Sequence, residues 1–369
     1  MKKLFQTLFA LLLTVLLSNT ALAACCDDES CGTSCSTNSC SRGCSAYGLW
    51  GSGFGNDLSF DVAEVDDGVD HLMFGYKSAS KGFSMGIERD LKCVTVGVGY
   101  LYADTVIDST FTDFNDPSRN ETLRSYEGRS NMLFVTAEKE FRRWKLSGFV
   151  GYDWDYFNMF DFLGPSGIAR MGSFVLNGEA KVHAIDKSRF RLSPLVAMTL
   201  INTDIDFDYI GLPKLQYQDS VTVCDAAVEM RYLAHRNFLL YSRTGYRYFT
   251  GAQDIDVAFA KIFGNVSIYQ PQNIFRFDVG MEWQITQRLA LEGGYLLRAG
   301  EYNYESHSFY ASLVWKRPSQ INNLLRGQRS GSSRFGRSKT NWSDRVTDTF
   351  SNLGTNLLNI INTGLAAPI

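Results

Sequence analysis

Phe275-Arg276-Phe277-Asp278-Val279-Gly280-Met281-Glu282-Trp283 carries a large apolar side chain at every odd number and a charged residue or glycine at every even one. A period of two is the mark of a β-strand with unlike faces, because successive side chains point to opposite sides. The same pattern returns in Val94 to Tyr102, where Val94, Val96, Val98, Tyr100 and Tyr102 oppose Thr95, Gly97 and Gly99. It returns in Ala226, Val228, Met230 and Tyr232 against Asp225, Glu229 and Arg231, and in Leu289, Leu291, Tyr295 and Leu297 against Glu292 and Arg298. Candidate strands fall at 57–64, 69–78, 81–90, 93–104, 130–141, 144–158, 173–185, 189–202, 220–234, 237–249, 272–285, 288–300 and 303–315.

A soluble β-sandwich would show the same alternation, but in strands of about five or six residues. Here many segments reach ten or more, the span of a tilted strand across a bilayer. Aromatic residues make up 14% of the chain, with 18 Tyr and 26 Phe, which suits girdles at two membrane surfaces. The fold expected is all-β: a closed antiparallel transmembrane β-barrel. Bacterial single-chain barrels have even strand numbers, and 57–64 is the weakest segment, so the expectation is twelve strands without it. The gaps 105–129, 159–172, 203–219 and 250–271 are rich in Asp, Asn, Gly and Ser and read as outer loops. The links Arg142-Arg143, Asp186-Lys187, His235-Arg236 and Thr286-Gln287 read as tight periplasmic turns that alternate with them. Glycines at 148, 151, 245, 280 and 294 read as places where the wall bends or packs closely.

Residues 1–24 have Lys2 and Lys3, an apolar run from Leu4 to Leu17 and a small-residue end, the form of a secretory signal peptide. Two cleavage readings stand. Ala21-Leu22-Ala23 before Ala24 suits ordinary signal peptidase, whereas Leu22-Ala23-Ala24-Cys25 resembles a bacterial lipobox and makes Cys25 the candidate for lipidation. Residues 25–48 form a Cys-rich segment. Six of the eight cysteines lie there: Cys25, Cys26, Cys31, Cys35, Cys40 and Cys44. An exported chain meets an oxidising compartment, so Cys26, Cys31, Cys35, Cys40 and Cys44 are disulfide candidates, within the segment or to other envelope proteins. Zinc is the weaker reading, since clean CxxC pairs and a nearby histidine are both missing. Cys93 and Cys224 stand alone in strand patterns and read as small packing residues.

The span 49–316 resembles the autotransporter β-domain. Leu49-Trp50-Gly51-Ser52-Gly53-Phe54 is similar to that family's first-strand pattern, and Asp70 to Tyr76 followed by Phe83 to Asp90 resembles its paired early strands. Phe190 to Ala197 carries Pro194 where the family has a mid-barrel proline, and Val279 to Trp283, Leu289 to Tyr295 and Phe309 to Trp315 resemble its closing strands. The resemblance implies an outer-membrane barrel of translocator type, acting as a structural barrel or small pore. It also implies outer-membrane lipid and the barrel-assembly machinery as partners, with Trp315 as the assembly signal. Members usually carry a long passenger and a helix threading the pore; this chain has only the Cys-rich segment before its barrel and 54 residues after Trp315. Residues 317–340 read as a basic flexible linker. Residues 341–363 read as an amphipathic helix, with Trp342, Val346, Phe350, Leu353, Leu357 and Ile361 on one face.

Net charge is −3, which points away from nucleic acid. HExxH and phosphate-loop patterns do not occur, and the four histidines, His71, His183, His235 and His307, are scattered. The chain is therefore expected to be no enzyme and to hold no cofactor or metal. Its chemistry lies in the polar strand faces. Arg231, Arg243, Arg247, Arg276, Asp278, Glu282, Glu292 and Arg298 are the candidates to line the lumen. They would set ion preference in a pore or fill a narrow interior.

Overall fold

The alternation seen in the sequence winds into one closed wall. A computed structural model describes residues 47–66, 71–91, 94–113, 120–141, 144–161, 166–187, 189–210, 214–235, 237–250, 266–268, 272–286 and 289–315. Twelve long strands build the wall: β1 (Tyr47–Asp66), β2 (His71–Leu91), β3 (Val94–Asp113), β4 (Asn120–Glu140), β5 (Trp144–Asp161), β6 (Gly167–Val182), β8 (Phe190–Tyr209), β9 (Leu215–His235), β10 (Phe238–Thr250), β12 (Asn273–Gln284), β13 (Leu289–Gly300) and β14 (Glu305–Trp315). Two three-residue strands complete the set: β7 (Ile185–Lys187) pairs with β8, and β11 (Val266–Ile268) pairs with β1. Every long strand pairs antiparallel with its neighbours, and β1 pairs with both β2 and β14, which closes the ring. The closing register runs from Leu49↔Trp315 to Ser59↔Glu305. The described residues contain no helix long and apolar enough to cross a membrane.

Twelve strands match the expected number, but for a different reason. Segments 69–78 and 81–90 are one strand, β2, while 57–64 is real and begins earlier, at Tyr47, within β1. The break between the two candidates falls in Lys77-Ser-Ala-Ser-Lys81, where the alternation fades because both faces are small or polar. In the structure Ser80 faces inward and its hydroxyl meets that of Thr105 on β3 at 3.0 Å. Much of the expected outer loops is also strand: β3 and β4 take in 105–113 and 120–129, and β8 and β9 take in 203–209 and 215–219. Asp186 and Lys187 lie in β7 rather than in a turn. The signal peptide, the six clustered cysteines, Cys93, the basic linker and the C-terminal helix expectation all fall outside the described residues.

The outward face carries a band of exposed apolar side chains, among them Met85, Ile87, Leu146, Leu176, Val196, Met198, Met230, Met281 and Leu313. Exposed aromatics flank it. Trp144, Tyr232, Trp283 and Trp315 lie toward the short-turn end, and Phe83, Trp154, Tyr156 and Tyr248 toward the other. Apolar side chains bared to this extent in one band belong in hydrocarbon, with amphipathic rings at its edges. Cys224 faces this lipid side and is exposed, so it is not an interior packing residue. Pro194 is tolerated in β8 because the β6 ladder stops at Lys181↔Leu195 and the β7 ladder starts at Ile185↔Leu192, leaving its missing donor unneeded on that side.

If the β1–β14 seam is closed in the membrane, Gly53→Cys with Ala311→Cys will form a disulfide on mild oxidation, in a background with the native cysteines changed to serine. Directly opposed residues hold their β-carbons about 4.5–5.5 Å apart, and 53 and 311 are register partners. The pair Gly53→Cys with Leu313→Cys, displaced by one same-face step, will cross-link poorly; equal yields, read by peptide mass spectrometry, would contradict this register.

Candidate functional site

The inward face is where charge collects, and it is filled. Asp225 on β9, Arg247 on β10, Arg276 and Asp278 on β12, and Arg298 on β13 form a continuous ladder across four adjacent strands. Arg247 donates two hydrogen bonds to Asp225, from Nε at 2.7 Å and from Nη2 at 3.0 Å. Arg276 reaches back to Asp225 with Nη1 at 3.5 Å and donates Nε to Asp278 at 2.7 Å; Arg298 donates Nη1 to the other oxygen of Asp278. Charge-assisted, paired contacts of this kind are roughly twice as strong as neutral ones. A second knot centres on Glu229. It accepts from Lys181 on β6 at 2.7 Å, from Arg231 at 2.8 Å and from Arg243 on β10 at 3.3 Å. Glu179 lies 3.7 Å from Lys181, and Glu138 pairs with Lys145 at 3.0 Å.

Period two explains why these side chains meet. Charged neighbours on one strand lie an even number of residues apart, as Arg276 and Asp278 or Glu229 and Arg231 do, so they share the inward face and the strand register brings them near one another. Of the eight lumen candidates, Arg243, Arg247, Arg276, Asp278, Glu292 and Arg298 are buried inside. Arg231 and Glu282 are half-buried, and Glu282 faces Glu292 in register. Trp315 ends β14, opposite Leu49 and Leu289, at the short-turn end.

Sequence reasoning missed the apolar half of the interior. The outer ends of the strands and the wall around β1 to β5 hold one cluster that includes Trp50, Phe54, Phe60, Leu101, Ile107, Tyr126, Met132, Phe134, Phe157, Ile205 and Phe207. Rings meet across this space: Trp50 stacks with Phe134 at 6.2 Å between centroids, and Phe60 tilts against Tyr304, just before β14, at 5.9 Å. The glycines make room for them. The ring of Trp50 lies over Gly86, where an added Cβ would sit 2.7 Å from it, and Tyr241 and Tyr310 meet hydroxyl to hydroxyl above Gly294.

Among the described side chains, the histidines form no open site. His183 Nδ1 lies 3.0 Å from Ser193 Oγ and its Nε2 lies 3.5 Å from Glu140. Only 1% of Ser193 is exposed, which leaves a substrate no approach to its hydroxyl. His235 ends β9 and is exposed, as a turn residue would be. His307 is on the outward face with Tyr295 and Glu305. His71 starts β2. Among the described residues no three His, Cys, Asp or Glu side chains converge on a metal position.

The family model described as "Autotransporter beta-domain" matches residues 49–296. Among solved structures, the translocator domain of the autotransporter NalP from Neisseria meningitidis aligns with a TM-score of 0.53 at 10% identity, covering 73% of this chain and 88% of that one. The transport unit of the autotransporter AIDA-I from Escherichia coli aligns with a TM-score of 0.53 at 11% identity, covering 76% of this chain and 92% of that one. At such identities the likeness speaks to fold. No curated protein matches the sequence.

Glu229 is the keystone of the second ionic knot. Glu229→Ala will strand Lys181, Arg231 and Arg243 and destabilise the barrel by about 3–5 kcal/mol, the cost of removing one partner from a buried pair. Heat-dependent gel mobility in detergent will show this as a lower unfolding temperature. A variant as stable as the parent would mean that the cations find water instead, and that this part of the lumen is wet.

Proposed function

Because the chain belongs to the autotransporter β-domain family, we propose that it serves as a filled, structural barrel that holds its N-terminal Cys-rich segment at the cell envelope. It is an outer-membrane barrel of the translocator kind; the proposal is that its lumen is closed. One observation carries this: the inward side chains are buried against one another from end to end, as ion pairs on β9 to β13 and as an apolar cluster toward the outer ends. Twelve strands leave an interior between the filled eight-stranded barrels and the open sixteen-stranded porins. Here Arg and aromatic side chains occupy that space. An ion crossing it would have to part buried pairs such as Lys181 and Glu229, at a cost of about 3–5 kcal/mol for each pair broken.

The other parts of the reading follow from the sequence. Residues 1–24 carry the export signal, and cleavage by ordinary signal peptidase before Ala24, or by the lipoprotein route before an acylated Cys25, leaves the mature N-terminus. The barrel-assembly machinery reads the last strand at Trp315, and outer-membrane lipid wraps the apolar band. The thiols between Cys26 and Cys44 cross-link the segment internally or to an envelope protein, so the barrel acts as an anchor. The role is non-catalytic.

Purified full-length protein reconstituted in planar bilayers will give no steady current at moderate voltage, since both the ionic and the apolar layers obstruct the path. Long-lived, uniform conductance steps would overturn the closed reading and make the ionic ladder a selectivity device.

A further inference from the structure

We propose that one anionic phospholipid of the periplasmic leaflet seats on the outer wall, with an acyl chain in a trough across β4 to β10 and its phosphate at the β4–β5 link. The trough follows the register. One outward row runs Lys139, Leu146, Ala180, Val196, Ala226 and Tyr246, each the partner of the next. The row beside it runs from Ala137 through Gly148 and Gly178 to Tyr248, again partner to partner. Because barrel strands tilt, both rows climb from the short-turn end at Lys139 to the other end at Tyr248. Glycine and alanine lower the wall along them, and a groove of about 930 Å3 opens there. That is the size of a small-molecule cleft, about 300–1,000 Å3. Five strand spacings of about 4.7–4.9 Å make it about 24 Å long. One leaflet of hydrocarbon is only about 15 Å deep, so a tail lying obliquely fits.

Three occupants could fill such a groove, and chemistry separates them. A second copy would meet it with the same patch, as a two-fold interface requires. Groove against groove leaves a void. Residues 341–363 of this chain carry Asp344, Arg345 and Asp348, charges that hydrocarbon rejects. A hydrocarbon tail suits a narrow apolar trough floored by backbone.

The tail alone brings no selectivity, since the surrounding lipid is equally apolar. The head group does. Lys139 is exposed at the foot of the trough, with its Nζ 4.8 Å from the centre of the Phe141 ring. Arg142 and Arg143 follow in the same link. The other short links repeat the sign: Lys92, Arg189, Arg236 and Arg288 fall in them, and Lys316 follows β14. The opposite rim turns Asp104, Asp108 and Glu127 outward. A lipid phosphate is therefore drawn to the short-turn rim, which faces the periplasm. Each Lys or Arg beside an anionic surface strengthens the attraction about fivefold. The trough fixes the place, and the cations choose the head group. The seat is independent of whether the lumen conducts.

Full-length barrel in phosphatidylcholine vesicles receives a trace of phosphatidylglycerol with a diazirine on its acyl chain, or of phosphatidylcholine with the same group. Peptide mass spectrometry maps the adducts after illumination. The phosphatidylglycerol probe will label Leu146, Met198 and Cys224 at least about fivefold more than the phosphatidylcholine probe does, and more than it labels Met281 elsewhere on the band. An added Cβ at Gly178 meets nothing within 4 Å, so Gly178→Leu fills the trough without straining the wall. It will remove the trough adducts and keep those at Met281. Lys139→Gln with Arg142→Gln and Arg143→Gln will bring the two probes level in the trough. Unchanged heat-dependent gel mobility shows that each variant keeps its barrel. Equal labelling of the parent trough by the two probes overturns the proposal, whatever the variants do. So does labelling no stronger there than at Met281, which makes the trough part of the ordinary lipid shell. A dimer in native mass spectrometry with its trough shielded from both probes overturns it too, and seats a second copy there.

Discussion

Inside a bilayer no water is at hand to satisfy a backbone N–H or C=O, so every such group on the wall must find another strand. That requirement rests on one seam. Eleven of the long-strand pairings join neighbours along the chain, but β1 and β14 come from its two ends and meet over the register Leu49↔Trp315 to Ser59↔Glu305. Once that ladder forms, the sheet has no edge, and the two faces of every strand are assigned to lipid or lumen. The small side chains of this region suit such a seam. Ser306 and Ser308 on β14 both donate to Asn56 on β1, at 3.1 and 2.6 Å, so polar side chains inside reinforce the backbone ladder.

The interior then has to be filled from strands that are held apart by the ring. Two devices do this, and they divide the space between them. Long guanidinium side chains reach across neighbouring strands to carboxylates on the β9 to β13 side, where Arg247 and Arg276 converge on Asp225. On the opposite side, aromatic rings reach over glycines, as Trp50 does over Gly86 and Phe134 over Gly99. A glycine beneath a large ring gives up its own side chain so that the neighbour's can cover the backbone and reach the middle. Ionic and aromatic filling both need the alternation to stay in phase along every strand, since a slip of one residue would turn charge into lipid.

The barrel and its lumenal charges were legible because β12 and β9 to β10 set strong contrast between adjacent residues, Arg276 against Phe277 and Glu229 against Met230. The rim was not legible, for a physical reason. Beyond the apolar band the outer face meets water, so Asp104, Asp108, Glu127 and Arg129 point outward while Ile107 and Tyr126 point inward. The period of two persists, but the greasy face switches from outside to inside. With polar residues then on the face that lipid had occupied, these stretches resemble loops by composition. The pairing of Asp225 with Arg276, two strands away, and the meeting of Tyr241 with Tyr310, three strands apart in the ring, depend on curvature and register that a single sequence does not carry.

The central claim is that the wall is continuous across its two chain ends. Amide hydrogen exchange of the barrel in lipid nanodiscs, resolved to single residues along β1 and β14, tests it most directly. The account predicts that amides from Gly51 to Leu58 and from Ser306 to Leu313 are as slow to exchange as those of β8 and β9. Fast exchange confined to those two strands, with the rest protected, would mean an open sheet and would contradict it.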